Sequence, residues 1–273
     1  MKADDKVIKD FGDEWKEYDY RGFDNEKLFE NFKQYFSIFP WHKLAKNSEG
    51  FDMGCGSGRW AKLVAPRVGK LNCVEPSAAI EVAKNNLQGL KNIHFYNQTS
   101  KNCTIEDSSQ DFGYCLGVLH HITDTEGALM DCARLLKPKA PLLLYIYYNF
   151  ENRPFWFKAI WKCSDILRRL ISIFPFKLKK FICEIIALLV YWPLARLAYL
   201  TEKLGFDHDL VPLADYRKKP FYQMRNDALD RFGTRLEKRF SKRQITDMLL
   251  AAGFSDVTFS NQTPYWCCVA VKS

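Results

Sequence analysis

The stretch Phe51–Leu63, FDMGCGSGRWAKL, sets an acid and three glycines between an apolar start and a helix-like continuation. Such a turn lets the chain leave a strand, run close to a ligand and point helix N–H groups at it. The spacing Gly54-x-Gly56-x-Gly58 is not the dinucleotide fingerprint, because its third glycine comes too early. No Lys-Ser/Thr pair closes it as in a phosphate-cradling P-loop. The ligand implied is nucleoside-like and lacks a pyrophosphate. Two carboxylates flank this region, Asp52 before the glycines and Glu75 after the next apolar run. A capping role for Asp52 and an exposed strand-end position for Glu75 are the competing structural explanations.

The elements that must position these residues follow from periodicity. Leu71–Val74 reads as a strand, Ala78–Leu87 as a helix, Ile93–Tyr96 and Phe112–Leu116 as strands, and Thr125–Leu136 as a helix stopped by Lys137-Pro138. Pro141–Tyr148, PLLLYIYY, is a continuous apolar run suited to the middle of a parallel sheet. Alternating β and α elements with short connections imply a doubly wound α/β sheet. The pattern resumes at SKRQITDMLLAAGF, with Ser241 as N-cap, a buried face at Ile245, Met248 and Leu249, and a stop at Gly253. Strands around Phe254–Ser260 and Tyr265–Lys272 then form a closing hairpin. Ahead of the sheet, Leu28, Phe29, Phe32, Tyr35 and Phe36 recur at helical spacing up to Pro40.

With these elements in order, the chain resembles a class I S-adenosylmethionine-dependent methyltransferase of the broad small-molecule group. FDMGCGSG resembles that family's first motif, VEPSAA its second, DFGYCLGVLHHITD the strand-four motif and RLLKPKAPLLLY the helix-to-strand-five motif. The resemblance covers about 100 residues, with Ala140 standing where a glycine is usual. It implies a Rossmann-like seven-stranded sheet with a C-terminal antiparallel hairpin, and S-adenosyl-L-methionine as cofactor. Asp52, Gly54, Cys55, Gly56 and Gly58 would lie against the methionine part, and Glu75, Pro76 and Ser77 against the ribose. The offset of 17 residues from Gly58 to Glu75 is near the ~20 of ribose recognition in related sheets. Carboxylates at two successive strand ends suit a ribose diol and a cationic amino group. Thr99 and Ser100 stand where an acid for the adenine amine is common, and Leu116 and Gly117 end strand four. His120 and His121, just past that strand, are the base candidates, His121 first. Neutral imidazole suits deprotonation of a hydroxyl, and neighbouring side chains diverge. FGDEW resembles a segment found in methyltransferases of bacterial glycan and natural-product pathways. Phe11, Trp15 and Tyr18 would either close over the cofactor or simply pack an N-terminal helix.

The chain has 273 residues, 47% hydrophobic and 15% aromatic, as a packed core requires. Its start lacks the apolar region of a signal peptide. Nine scattered cysteines without a C-x-x-C pair suit a reduced, cytoplasmic setting. The organisation expected is an N-terminal helical lid at 1–48, a cofactor-binding core at 49–148, a basic helical insertion on the acceptor side at 149–240, and a completing helix and hairpin at 241–273. Of the net charge of +8, Glu151–Arg243 carries 20 Lys/Arg against 10 Asp/Glu, and the remainder is slightly acidic. An anionic partner or surface for that segment alone is implied. Within it, Lys177–Leu200 is strongly apolar, yet Glu184, Pro193 and Arg196 keep its uncharged run short of the ~20 residues that cross a bilayer.

The expected acceptor is a small molecule or glycan-type metabolite, methylated at oxygen. The alternatives are a membrane-surface enzyme acting on a lipid-linked acceptor through residues 177–200, a nucleic-acid methyltransferase, and a non-catalytic cofactor-binding protein. Nucleic acid is disfavoured, because strand four ends in LGVLHH and not in the Asn/Asp-Pro-Pro-aromatic motif of enzymes that methylate base amines. Asp207–Asp209, DHD, has no further ligands beside it, so no metal is expected. Oligomeric state is left open.

Overall fold

The computed structural model describes residues 3–273. Residues 1 and 2 of the expected N-terminal segment lie outside it, as do the side chains of Ala3 and Asp209. The chain divides into two compact units, one running to Asn149 and resuming at Leu236–Ser273, the other spanning Phe150–Arg235.

The first unit is built on strands β1 (Glu49–Met53), β2 (Lys70–Val74), β3 (Ile93–Tyr96), β4 (Phe112–Leu116), β5 (Pro141–Tyr145), β6 (Phe254–Phe259) and β7 (Cys267–Lys272). They form one sheet in the order β3-β2-β1-β4-β5-β7-β6. Pairing is parallel from β3 through β5, and β7 runs antiparallel to both β5 and β6. The order reverses beside β1, which places the carboxyl ends of β3, β2, β1 and β4 along one edge, the usual ligand crevice of such sheets. Gly50 and Gly113 let β1 and β4 pair closely. A Cβ on Gly50 would strike the Phe112 ring at 2.3 Å, and one on Gly113 would strike the Phe51 ring at the same distance.

Helices cover both faces. Leu129 of α5 (Thr125–Leu135) and Ile245 and Leu249 of α10 (Lys242–Ala251) bury one face, while α2 (Asn25–Tyr35), α3 (Ala61–Val64) and α4 (Ala79–Asn86) bury the other. Helix α1 (Ala3–Glu17) packs against α4. As its sequence implies, α10 begins in a complete capping box between Ser241 and Gln244, and Gly253 ends it with φ +84°.

Two expectations are corrected. Strand β5 stops at Tyr145, not Tyr148, and its far neighbour β7 is antiparallel, so it is not mid-way in a parallel sheet. Beyond Tyr145 the backbone turns to other partners: the Tyr147 carbonyl accepts from the Phe240 N–H at 2.9 Å, and Tyr148 bridges Phe240. Strand β7 starts two residues late, because Pro264 offers no N–H and the Cys267 N–H closes a turn onto the Pro264 carbonyl.

The second unit contains α6 (Phe155–Ile171), α7 (Phe176–Ile186), α8 (Trp192–Lys203) and α9 (Phe221–Gly233). Prolines 154, 175 and 220 stand at the N-caps of α6, α7 and α9. A π turn at Ala187–Tyr191 joins α7 to α8, just ahead of Pro193, giving continuous helix over Phe176–Lys203. With 28 residues and an 18-residue window of mean hydropathy 1.8, the helix is long and apolar enough to cross a membrane by length and composition alone. Inside the unit, the Arg168 guanidinium is paired to Asp165 at 2.7 Å and donates to the Thr234 carbonyl at 2.9 Å, while Lys179 Nζ donates to the Gly233 carbonyl at 3.0 Å. Two buried cations therefore satisfy the C-terminal carbonyls of α9, where its dipole is negative.

Candidate active site

The loop after β1 turns through Gly54, Gly56 and Gly58 with φ of +79°, +53° and +77°, angles that other residues adopt only under strain. A Cβ on Gly54 would meet Val118 at 2.5 Å, and one on Gly56 would meet Trp15 of α1 at 2.9 Å. The loop is thus wedged between the β4 end and α1. Helix α1 reaches further along this edge. Gly12 lies over Ser77 and Ala78, Phe11 packs tilted against His121 with ring centroids 4.9 Å apart, and Asp4 Oδ1 accepts from the Thr123 N–H at 3.0 Å. Arg59, which follows the loop, sits over the Trp15, Tyr20 and Trp60 rings at 4.8–5.2 Å.

Glu75 leaves β2 with its carboxylate fixed at the base of the loop. Oε2 accepts from the Gly56 N–H at 3.1 Å and Oε1 from the Ser77 N–H at 2.9 Å. Burial raises its pKa, and the hydrogen bonds from Ser77 and Gly56 pull it back. Asp52 is buried more completely. Desolvation raises its carboxyl to about 8, against the opposing influence of the nearby Tyr114 hydroxyl, with the Glu75 charge adding to the rise and Arg59 opposing it. Its Oδ2 accepts no hydrogen bond. Cys55 is buried in the loop, and the Cys73 thiol and burial hold its own thiol well above the ordinary range, so it is a packing residue and not a thiolate.

The β3 end adds a residue that no motif singles out. Asn97 Nδ2 donates to the carbonyls of Glu75, at 2.8 Å, and Ser77, at 3.3 Å, and so locks two strand ends together. Thr99 and Ser100 follow it on the same edge. Ser100 Oγ donates to Asp131 of α5 at 2.8 Å, while Gln98 accepts from Thr104 within its own loop. Gly117, with φ +82°, has open space where a Cβ would stand, and its N–H donates to the Tyr145 carbonyl.

His120 and His121 lie in a short 3-10 turn, Leu119–His121, and both are buried. His120 stacks on Tyr147 with centroids 3.7 Å apart and lies tilted against His121 at 4.0 Å. Its ring nitrogens have no hydrogen-bond partner, and burial, then His121 and Arg239, hold its pKa well below the usual value. It is a neutral, packed ring. His121 differs: its Nδ1 is 2.6 Å from the Leu236 carbonyl. A carbonyl only accepts, so Nδ1 donates its proton to it. The segment Leu236–Phe240 is what holds this turn. The Lys238 N–H donates to the His120 carbonyl at 2.9 Å, and Lys238 Nζ to the Thr123 carbonyl at 2.6 Å.

The candidate residues from β1, β2, β3 and β4 therefore meet along one sheet edge. The donor set there fits S-adenosylmethionine. Asp52 and Glu75 supply acceptors for cationic and hydroxyl groups, Asp52 Oδ2 is buried without a bond, and Gly117 leaves space. Asp207 and His208 lie in the other unit, and among the described residues no three His, Cys, Asp or Glu cluster as metal ligands.

Comparison with known proteins is consistent with this geometry. Residues 51–144 match the model of a methyltransferase domain family. An uncharacterized methyltransferase, YcgJ, of Bacillus subtilis is 31% identical over 131 residues, 47% of this chain and 52% of that one. A ubiquinone biosynthesis O-methyltransferase of Coxiella burnetii is 29% identical over 112 residues, 40% of this chain and 46% of that one. The chain thus spans about half the length of the curated relatives it matches. Among solved structures, a protein assigned as a methyltransferase, in complex with the Haloferax volcanii Trm112 activator, aligns at TM-score 0.52 and 12% identity over 95% of this chain and 96% of that one. A protein assigned as an O-methyltransferase from Nostoc punctiforme aligns at TM-score 0.51 and 14% identity over 90% of this chain and 58% of that one. At these identities the structural likeness shows the fold alone. Taken with the family match, the sheet order and the motif positions, residues 51–144 are a methyltransferase domain of the class I S-adenosylmethionine-dependent family.

Proposed function

We propose that the chain transfers a methyl group from S-adenosylmethionine to a hydroxyl of a small-molecule or glycan-type acceptor. The observation that carries this reading is the Glu75 carboxylate bonded to the Gly56 and Ser77 N–H groups, beside buried Asp52, at the edge where the β2 and β1 ends meet. In this reading Asp52 and the loop Gly54–Gly58 hold the amino-acid end of the cofactor. Glu75, with Pro76 and Ser77, accepts from the ribose hydroxyls. Thr99 and Ser100, on one side, and Leu116 and Gly117, on the other, border the base and the reacting end. The cofactor supplies a methyl carbon made electrophilic by its sulfonium. The protein aligns the acceptor oxygen and takes its proton.

His121 is the base in this scheme. The Leu236 carbonyl fixes its tautomer, so Nε2 receives the proton as the acceptor oxygen forms its bond to carbon. His120, neutral and stacked, packs the turn. The Coxiella burnetii relative is named an O-methyltransferase, which supports oxygen as the attacked atom. A lipid-linked acceptor at a membrane surface, reached through contact by residues 177–200, is the second reading, and the apolar helix Phe176–Lys203 favours it. The test is incubation with methyl-labelled cofactor and fractionated aqueous and lipid extracts. The reading expects a product heavier by one methyl replacing one hydrogen. Label in no product from either fraction, in a protein shown to bind cofactor, refutes it.

A further inference from the structure

The helical unit is built inside out. Twenty of the 23 large hydrophobic side chains exposed among the described residues lie within Phe150–Arg235. On α6, the buried positions include the ion pair Asp165–Arg168, while Phe155, Ile166, Leu167 and Leu170 point outward, Phe155 at 84% exposure. On α7 and α8, the buried stripe is largely small or polar: Lys179, Cys183, Ala187, Ala195 and Ala198. The opposite face carries Leu178, Phe181, Ile185, Leu188, Leu189 and Trp192 at helical spacing, with Leu189 67% exposed. Twenty such chains in one unit go well beyond the singly scattered surface hydrophobics that are normal on a soluble protein.

Charge identifies the occupant. From Phe155 to Lys203 there are nine Lys/Arg and three Asp/Glu. Each acid is already neutralised within the unit: Asp165 by Arg168 and Arg169, Glu184 by Arg225 and Lys180, and Glu202 by Arg217 and Lys218. Lys162, in the middle of α6, and Lys177, in the first turn of α7, are exposed and pair with no carboxylate among the described residues. Outward hydrocarbon flanked by unneutralised cations matches a lipid leaflet with anionic headgroups. A protein partner would have to cover the same surface while answering those cations with acids of its own.

We propose that the outer face of α6, α7 and α8 seats in one leaflet of an anionic membrane, with the helices lying in its plane. Crossing is disfavoured by the packing of α7 against α9, which carries Arg225, Asp227, Asp230 and Arg231 and would have to enter the hydrocarbon with it. The inference stands on the helical unit alone and not on the methyl-transfer reading.

The full chain should float with vesicles of equimolar phosphatidylcholine and phosphatidylglycerol, and at least about tenfold less with phosphatidylcholine alone, since each lysine near the surface contributes ~1 kcal/mol. Phe181→Glu combined with Leu189→Glu should abolish flotation. Lys162→Glu with Lys177→Glu should weaken it by at least about tenfold. Affinity for S-adenosylhomocysteine, measured on each variant, should match that of the parent chain and separates loss of the surface from loss of the fold. Phe181→Ser with Leu189→Ser serves if the glutamates prevent folding. Failure of the parent chain to float, or flotation equal in parent and variants, overturns the proposal. So does a dimer in sedimentation that the Phe181→Glu, Leu189→Glu chain cannot form, which would assign the face to a second copy.

Discussion

Replacing Asp52 with asparagine should make the protein more stable at neutral pH, and increasingly so as pH rises. The Asp52 carboxyl titrates at about 8 in the folded chain against 3.8 for an unperturbed aspartate, chiefly because it is buried. The sign follows from linkage. Below pH ~4 both states hold the proton and the group contributes nothing. Between ~4 and ~8 the unfolded chain ionises while the folded chain does not, so folding loses about 1.4 kcal/mol per pH unit. The accumulated cost at pH 7 is on the order of 4 kcal/mol. Asparagine removes the titration but brings an amide that needs partners, an opposing ~1–3 kcal/mol. The difference in unfolding free energy, variant minus parent, should therefore climb by about 3 kcal/mol between pH 5 and 7.5, whatever its absolute value. Urea unfolding of both chains at several pH values, followed by a probe in the sheet unit, measures it, because other titrating groups cancel. Parallel curves would show that Asp52 is ionised in the folded protein, and the buried-acid description of this site would be wrong.

The same acid links binding to protons. At pH 7, calorimetry in buffers of different ionisation enthalpy should show most of one proton released per S-adenosylmethionine bound to the parent chain and none for Asp52→Asn, because a cationic ligand favours the ionised carboxylate. Of the histidines, His121→Ala should lower kcat by roughly 10²–10⁴-fold with cofactor affinity nearly unchanged, while His120→Ala should lower the unfolding midpoint and spare kcat in the folded fraction. Normal turnover in both would leave alignment as the whole of catalysis. Ser241→Ala should cost about 0.5–2 kcal/mol in urea unfolding by removing the α10 capping box.

Much of the sheet is legible in the sequence because its strands are short apolar runs punctuated by Gly, Pro and charged turns. Ile93–Tyr96 and Phe112–Leu116 end where their patterns end. The overrun of β5 has a non-local cause. Ile146, Tyr147 and Tyr148 are as apolar and aromatic as the strand itself, and only Phe240, far along the chain, decides that the backbone leaves the sheet there. The candidate edge is readable where backbone conformation dictates residue type, as at Gly54, Gly56 and Gly58, and where an acid follows an apolar run, as at Glu75. What hides is pairing across the fold. Asn97 locks strand ends through its own amide, and Leu236 sets a histidine tautomer through its carbonyl, an atom every residue has. The helical unit gave the opposite difficulty. Its periodicity is plain, but which face lies inward is decided by buried ion pairs such as Asp165–Arg168, and hydropathy alone would turn it round.

The central claim, that the glycine loop and Glu75 hold the cofactor, is tested most directly by calorimetric titration of S-adenosylmethionine into the parent chain and Glu75→Ala. Losing hydrogen bonds to a charged group should weaken binding by about 1.5–3 kcal/mol, roughly 10- to 150-fold in Kd. Equal affinity in a folded Glu75→Ala chain would contradict it.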